Sequence, residues 1–128
     1  MSAVETQEAR SEGENVIEVR DLVTHYGDRM ILKGVNVDIR RGEIMVVMGG
    51  SGSGKSTFLR HVIGLERATS GSIRVLGREI SEMSDVETTE FSRKLGVAFQ
   101  GGALFSSMTV GENVMLPLRE HTELDRLT

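Results

Sequence analysis

Four residues, Gly49, Gly54, Lys55 and Ser56, follow the spacing G-x-x-x-x-G-K-[ST] within the segment GGSGSGKST. Glycine adopts backbone angles that are closed to other residues and places no side chain in the way, so consecutive N–H groups can converge on one anion. The lysine that follows adds a full positive charge. The pattern therefore predicts a loop that holds the phosphates of a nucleoside triphosphate.

The predicted phosphate-binding site consists of nine consecutive residues: Gly49, Gly50, Ser51, Gly52, Ser53, Gly54, Lys55, Ser56 and Thr57. The Lys55 ammonium is expected to reach the β- and γ-phosphates, and the Ser56 hydroxyl to ligate Mg²⁺. Thr57 is expected to reach an α-phosphate oxygen with its hydroxyl and its N–H. ATP and Mg²⁺ are the cofactors that this site predicts.

A strand before the loop and a helix after it must position these residues. The unbroken apolar segment 44–48 predicts a central strand covered on both faces, as in a parallel sheet. After the loop, Phe58, Leu59, Val62 and Ile63 share one helical face, and Gly64 lies near the end of that pattern. The expected order is strand, loop, helix, which is the context that the phosphate loop requires.

Further elements are predicted on both sides of this unit. Alternating apolar residues predict strands over 16–22 and 31–39, joined by a turn at 26–28, and a short strand over 72–77. An apolar run predicts a buried strand over 95–99. Two capping boxes, Ser84 with Glu87 and Thr109 with Glu112, predict helices; the first runs toward Lys94, and Pro117 should bend or end the second.

Composition and charge exclude several classes of protein. The 128 residues carry a net charge of −4 without a long basic run, so nucleic acid is not an expected partner. The absence of cysteine excludes disulfides and thiolate catalysis. The polar, acidic N-terminus is not a secretory signal and is expected to be a flexible tail over residues 1–15. No stretch reaches the roughly 18 apolar residues that cross a bilayer.

Beyond the loop, the sequence from Val16 to Leu124 resembles the ATP-binding subunits of ABC transporters. Tyr26 lies in HYGDRMILKGVNVDIRRGE, which is similar to the segment that carries the family's adenine-stacking aromatic residue. Gln100 follows the predicted strand 95–99, as does the family's Q-loop glutamine, which contacts Mg²⁺ and the attacking water. Without the family, Tyr26 would equally suit a turn or the core, and Gln100 would be a solvated side chain.

The resemblance implies an α/β fold: a P-loop NTPase of ABC type, with an N-terminal antiparallel β subdomain and the start of the parallel core sheet. Residues 16–128 then form an incomplete nucleotide-binding domain, in which 100–128 hold the Q-loop and the start of the helical subdomain. Gly50 occupies a position where the family often has proline. His25, His61 and His121 do not match the family's switch histidine and are expected to be surface or packing residues.

The family's signature motif, Walker B aspartate, catalytic glutamate and switch histidine find no match in these 128 residues, which suggests a truncated reading frame or cloned fragment. Because hydrolysis in the family needs those parts and a second subunit docked head to tail, we expect this fragment to bind Mg-nucleotide weakly without turnover. Since its apolar strands would lack partners, we also expect it to be marginally stable alone.

The segment FQGGALFSSMTVGENVMLPLREHTEL is similar to the Mla-type, or toluene-tolerance, phospholipid transporter ATPases. That branch implies a membrane permease, contacted through residues 101–118, an MCE lipid-binding protein, and a peripheral location on the cytoplasmic face of the inner membrane. Leu104, Phe105 and Met108 are candidate permease contacts, with core packing as the alternative. Three alternative hypotheses are an ABC ATPase for another substrate, a soluble P-loop GTPase or kinase, and a non-catalytic nucleotide-binding module.

Overall fold

A computed structural model describes residues 13–123 of the chain. The N-terminal part of the predicted tail, residues 1–12, lies outside this range, as do residues 124–128. Within the described residues, no helix is both long and apolar enough to span a membrane.

A four-stranded antiparallel sheet forms the first half of the fold, in the order β2-β1-β3-β4. Its strands are β1 (Asn15–Tyr26), β2 (Arg29–Arg40), β3 (Ser70–Val75) and β4 (Arg78–Glu79). β1 and β2 are joined by a two-residue turn at Gly27 and Asp28, where glycine adopts a positive φ. The predicted antiparallel β subdomain is therefore confirmed, with the turn where the sequence placed it.

A bulge in β1 keeps its apolar side chains on one face of the sheet. Val19 and Leu22 are both fully buried although they lie three residues apart, whereas side chains alternate every two residues in a regular strand. The register with β2 shifts between these two residues, and Asp21 in that interval has a φ of 47°. The extra residue of the bulge thus returns Leu22 to the face that Val19 occupies.

The described residues also contain three α-helices. α1 (Lys55–Val62) lies between β2 and β3, and α2 (Asp85–Ser92) and α3 (Val110–His121) follow β4 and a 3₁₀ turn at Ile80–Glu82. The buried apolar side chains lie in the sheet and in α1: Val19, Leu22 and Leu32 of the sheet are fully buried, and Phe58 and Val62 of α1 are 5% and 7% exposed. Within α1 the buried residues are Thr57, Phe58, His61 and Val62, whereas Leu59 is 47% exposed. The helix is confirmed, but its buried face is turned slightly from the predicted one.

Both predicted capping boxes are present. The Ser84 amide and the Glu87 side chain bond at 2.9 Å ahead of α2, and Thr109 and Glu112 bond reciprocally at the start of α3. α2 ends at Ser92, two residues before the predicted Lys94. α3 continues past Pro117 to His121, so the expectation that this proline could end the helix is wrong.

The strands predicted over 44–48 and 95–99 are corrected by the structure. Neither segment is a strand, and Ile44 is 89% exposed, Met48 79% and Phe99 46%. Both segments are apolar, but an apolar sequence does not by itself make a strand. A strand also needs a neighbour whose N–H and C=O groups pair with its own. In the part of the chain that the structure describes, the sheet is entirely antiparallel, and neither segment pairs with it.

The chain divides into two compact units, one up to Thr89 and the other from Glu90 onward, so the boundary falls within α2. The first unit contains the sheet, the loop 49–54 and α1. The second contains the segment 93–109 and α3.

Candidate functional site

The loop 49–54 opens directly onto the N-terminus of α1, so the predicted order of loop and helix is confirmed. The first backbone bond of the helix runs from the Phe58 amide to the Gly54 carbonyl, at 2.8 Å. Within the described residues, the amides of residues 54–57 donate no hydrogen bond to the protein. These four N–H groups are the ones that a helix leaves unpaired at its start, and they point out of its N-terminal end.

Gly54 is required at the junction between loop and helix. Its φ is 95°, a conformation that side chains disfavour, and a Cβ at this position would lie 2.9 Å from Leu32 Cδ2 and 3.3 Å from Ile31 Cγ2. A Cβ on Gly49 would likewise lie 2.5 Å from Ser53 Oγ. The loop therefore packs closely on β2 and on itself, which only glycine at these two positions allows.

Lys55 places its charge inside the loop. Its Nζ donates hydrogen bonds to the carbonyls of Gly49 and Gly50, both at 2.7 Å, and approaches Ser53 Oγ at 3.3 Å. The first turn of α1 contains no acidic residue that would offset this charge or the positive end of the helix dipole. The loop, the four amides and the ammonium together form a site for a polyanion.

The hydroxyl residues of the loop differ in their exposure. Ser51 and Ser56 are exposed, so the Ser56 hydroxyl is accessible beside the phosphate-binding amides, as a Mg²⁺ ligand would have to be. Thr57 is only 9% exposed, and its side chain packs in the core face of α1.

Tyr26 lies at the end of β1, next to the hairpin turn, with 48% of its surface exposed. Its hydroxyl donates to Glu66 Oε2 at 2.5 Å, and this bond is the main reason why the pKa of Glu66 falls below its ordinary value of 4.5. Arg60 donates to the other carboxylate oxygen at 3.0 Å and lowers the pKa further. Sequence reasoning missed Glu66, because nothing in the sequence relates two residues 40 positions apart.

His61 is a buried packing residue, as predicted, and is 1% exposed. Its Nδ1 lies 2.8 Å from the Glu66 carbonyl oxygen, which can only accept, so Nδ1 carries the proton. In the neutral ring, Nε2 then accepts a bond from the Thr24 hydroxyl at 2.7 Å. His25 is partly buried and His121 exposed, consistent with the expected surface or packing roles.

Gln100 belongs to the second unit. It lies in an exposed turn closed by a bond from the Gly102 amide to the Phe99 carbonyl, at 2.9 Å, rather than at the end of a strand. The first unit thus contains the loop 49–54, α1, Tyr26 and Glu66. Gln100 belongs to the second unit. Among the described residues, no cluster of three or more acidic or histidine side chains could hold a metal ion.

The candidate permease contacts are exposed: Leu104 by 73%, Phe105 by 55% and Met108 by 36%. The alternative, that these three residues pack in a core, does not agree with this exposure. The side chain of Asn113 fastens their loop to α3. Its Oδ1 accepts from the Phe105 amide at 2.8 Å, and its Nδ2 donates to the carbonyls of Phe105, Met108 and Thr109 at 3.0–3.2 Å. A tethered loop with exposed apolar side chains is a feature of protein-binding surfaces.

The glycine loop, the amides of residues 54–57 and the Lys55 ammonium have the arrangement of a P-loop, a loop that can hold phosphate groups. The family profile described as ABC transporter matches residues 32–128. The chain therefore belongs to the ABC transporter family.

Known proteins of this family resemble the chain over most of its length. It is 41% identical to the methionine import ATP-binding protein MetN of Rhizobium johnstonii, with 92% of this chain and 33% of MetN aligned. It is 47% identical to the probable ribonucleotide transport ATP-binding protein mkl of Mycobacterium leprae (84% and 31%). It is 39% identical to the intermembrane phospholipid transport system ATP-binding protein MlaF of Haemophilus influenzae (87% and 42%).

Solved structures show the same fold. A dimeric bacterial ABC transporter cassette superposes with a TM-score of 0.78 at 35% identity, covering 85% of this chain and 49% of that one. A dimeric ATP-binding cassette bound to ADP and Pi superposes with a TM-score of 0.76 at 33% identity, with the same coverage. The predicted ABC-type fold is confirmed, and the chain spans 31% to 42% of the curated relatives described above.

Proposed function

We propose that this chain is the nucleotide-binding part of an ABC transporter ATPase subunit and that it binds ATP with Mg²⁺. The observation that carries the proposal is the set of four unpaired amides, residues 54–57, beside the Lys55 ammonium. A triphosphate fits this donor set, because the four amides can donate to its oxygens and the ammonium offsets its charge. The names of the relatives support ATP as the nucleotide.

Mg²⁺ fits the same site through the hydroxyl of Ser56, since Mg²⁺ is usually held by one or two protein oxygens together with phosphate oxygens. Gln100, the other metal ligand that the family resemblance implies, lies in the second unit. The ion would neutralise negative charge on the β- and γ-phosphates. The chain's own residues hold the polyanion: the loop amides orient its oxygens, and Lys55 offsets its charge.

Calorimetric titration with MgATP and with inorganic tripolyphosphate tests this proposal. Lys55→Ala should weaken both ligands by roughly tenfold or more, because it removes a charge-assisted bond. Lys33→Ala, which removes an exposed lysine from β2, should leave both affinities unchanged. Equal binding by wild type and Lys55→Ala would contradict the proposed site.

We further propose that Tyr26 stacks on the adenine base. Its half-exposed ring offers an aromatic face at the end of β1. Tyr26→Ala should weaken ATP more than tripolyphosphate, and ATP should bind better than GTP. If GTP bound more tightly than ATP and Tyr26→Ala did not change the affinity for ATP, the alternative hypothesis of a soluble P-loop GTPase would be favoured.

Hydrolysis requires a group that orients the attacking water in addition to the phosphate loop. Gln100 is the candidate for this group, but the family's Walker B aspartate and catalytic glutamate find no match in these 128 residues, and we propose that they bind nucleotide without turning it over. A phosphate-release assay is expected to show no ATP-dependent rate. A rate abolished by Lys55→Ala would overturn this part of the proposal.

For the complete protein, we propose ATP-driven phospholipid transport at the cytoplasmic face of the inner membrane, by a head-to-tail ATPase dimer with a permease and an MCE protein. The similarity of 99–124 to the Mla-type branch and the relative MlaF support phospholipid as the substrate. A strain lacking the gene should show altered phospholipid distribution between its membranes and normal methionine uptake. Loss of methionine uptake alone would favour a MetN-like role.

The permease contact is proposed at Leu104, Phe105 and Met108, whose exposed side chains lie within residues 101–118. Phe105→Asp should reduce recovery of the ATPase with its permease, because it places a charge in an apolar contact. Ser107→Asp adds the same charge in the same loop and serves as the control. Equal loss in both variants would indicate a general charge effect rather than a contact at Phe105.

A further inference from the structure

Tyr26 is the only tyrosine of the chain, which has no tryptophan, and its hydroxyl is bound to a carboxylate. The bond from Tyr26 Oη to Glu66 Oε2 is 2.5 Å long, while the ring remains 48% exposed. One end of the side chain is therefore fixed, while about half of the residue's surface stays accessible. This arrangement suits a ring that has to receive a flat ligand in one orientation.

Glu66 is itself held from two sides by the last turn of α1. Arg60 Nη1 forms an ion pair with Glu66 Oε1 at 3.0 Å, and His61 Nδ1 donates to the Glu66 backbone carbonyl at 2.8 Å. The Glu66 side chain is 28% exposed, so it lies against the protein rather than free in solvent. The carboxylate that binds the tyrosine hydroxyl thus has a defined position.

The same helix carries the phosphate loop at its other end. α1 begins at Lys55 and has eight residues, which corresponds to a rod of about 12 Å. Thr24, two residues before Tyr26 in β1, is bonded to His61 in the last turn of this helix. The end of β1 is therefore bonded at two points near the C-terminal end of α1: Thr24 to His61 in its last turn, and Tyr26 to Glu66, which follows the helix.

We propose that Glu66 is a positioning residue that orients the Tyr26 ring for the nucleotide base and thereby favours ATP over the bare triphosphate. The inference rests on the proposed function, in which Tyr26 stacks on adenine. The physical reason is preorganisation. A tyrosine at a hairpin end would lose rotamer freedom when a base stacks on it, and a ring already fixed at its hydroxyl loses less.

The test compares ATP with inorganic tripolyphosphate, since only ATP has a base. Tyr26→Phe keeps the ring and removes the hydroxyl, whereas Glu66→Ala keeps the hydroxyl and removes its partner. Each variant should weaken ATP by roughly fivefold, the effect of one lost hydrogen bond, and leave tripolyphosphate unchanged. The double variant should lose no more than either single one, because both remove the same contact.

Two further variants sharpen the experiment. Glu66→Gln retains an oxygen that can accept from the tyrosine, so it should recover part of the ATP affinity that Glu66→Ala loses. Glu82→Gln removes an exposed carboxylate from the 3₁₀ turn and should bind both ligands as wild type does. Because Tyr26 is the sole tyrosine, its fluorescence should be quenched by ATP but not by tripolyphosphate, and less so in Glu66→Ala.

The possible failures are distinguishable. If Tyr26→Ala lowers the preference for ATP but Tyr26→Phe and Glu66→Ala do not, the ring stacks without its anchor and the role of Glu66 is overturned. Additive losses in the double variant would overturn it as well. If tripolyphosphate does not bind the wild-type chain at all, the proposed function itself fails and the inference fails with it.

Discussion

At the scale of single residues, the candidate site depends on backbone groups that only certain side chains permit. The four amides that face the loop mouth belong to residues 54–57, and their convergence requires the left-handed conformation of Gly54. Lys55 contributes charge, but its two bonds to loop carbonyls also hold the loop in shape. Side-chain identity thus acts here mainly by allowing or fixing a backbone arrangement.

Gly54→Ala should destabilise the fold and weaken phosphate binding. The new Cβ would lie 2.9 Å from Leu32 Cδ2, at a residue whose φ is 95°, so we expect a loss of about 1–3 kcal/mol in the free energy of unfolding. Urea denaturation measures the stability and tripolyphosphate titration the binding. Gly50→Ala is the matched control, because its Cβ would meet nothing within 4 Å. Equal stability of the two variants would contradict the proposed strain.

The bond between Tyr26 and Glu66 predicts a pH dependence of stability. The pKa of Glu66 in the folded chain is below its ordinary value of 4.5, mainly because of the Tyr26 hydroxyl. A carboxylate of this kind stabilises the fold above that ordinary value, and its contribution is lost as the pH falls through the lowered pKa.

Tyr26→Phe should therefore be destabilising near neutral pH, and the difference from wild type should shrink as the pH falls below 4.5. Urea denaturation of both proteins across this range provides the measurement. The pKa of Glu87 is also lowered, because the Ser84 amide donates to its carboxylate. Its contribution to stability is the same in both proteins and cancels in the comparison. A difference that grows toward acid pH would show that the bond does not favour the ionised carboxylate.

At the scale of elements, local signals in the sequence were sufficient where the stabilising contacts are local. The capping boxes at Ser84 and Thr109 were predictable because both partners lie within one helical turn. The hairpin of β1 and β2 and the order of loop and α1 follow from residues close in the sequence in the same way.

The strands predicted over 44–48 and 95–99 fail for the opposite reason. Their apolar runs report a preference for burial, but the hydrogen bonds that define a strand come from partners distant in the sequence. The bond of His61 to Thr24 and the bond of Tyr26 to Glu66 depend likewise on contacts between residues about 40 positions apart in the sequence. Pattern alone does not specify such contacts.

The proline inside α3 allows a test of what stabilises this helix, because Pro117 is not part of either cap. Pro117 lacks the N–H that would bond to the Asn113 carbonyl, yet the helix continues for four more residues. Pro117→Ala should stabilise α3 by up to about 3 kcal/mol.

Slower amide exchange in the second half of α3 and a stronger helical signal at 222 nm would register this gain. Glu120→Ala, an exposed substitution in the last turn of the same helix, should change neither quantity appreciably. If Pro117→Ala left exchange unchanged or faster, the helix would owe its length to contacts that compensate for the proline.

At the scale of the whole molecule, the buried side chains are concentrated in the first unit. Nine of the ten buried apolar residues in the described part of the chain precede Thr89, and Phe91 is the exception. The sheet and α1 therefore share one core, and the site is attached to that core through Leu32, which lies under Gly54, and through Thr24 and His61.

A shared core implies that the first unit unfolds cooperatively. Leu22 is fully buried in the centre of β1, and Leu22→Ala should cost about 2–5 kcal/mol because it removes packed atoms and leaves a cavity. Since one core stabilises β1, β2, β3 and α1, amide exchange in all four should accelerate by the same factor. Leu59→Ala is the matched control: the same atoms are removed from a side chain that is 47% exposed, and the cost should be under about 0.5 kcal/mol. Acceleration confined to β1 would mean that the sheet and the helix carrying Lys55 are stabilised separately, and the phosphate site would then not depend on the core of the sheet.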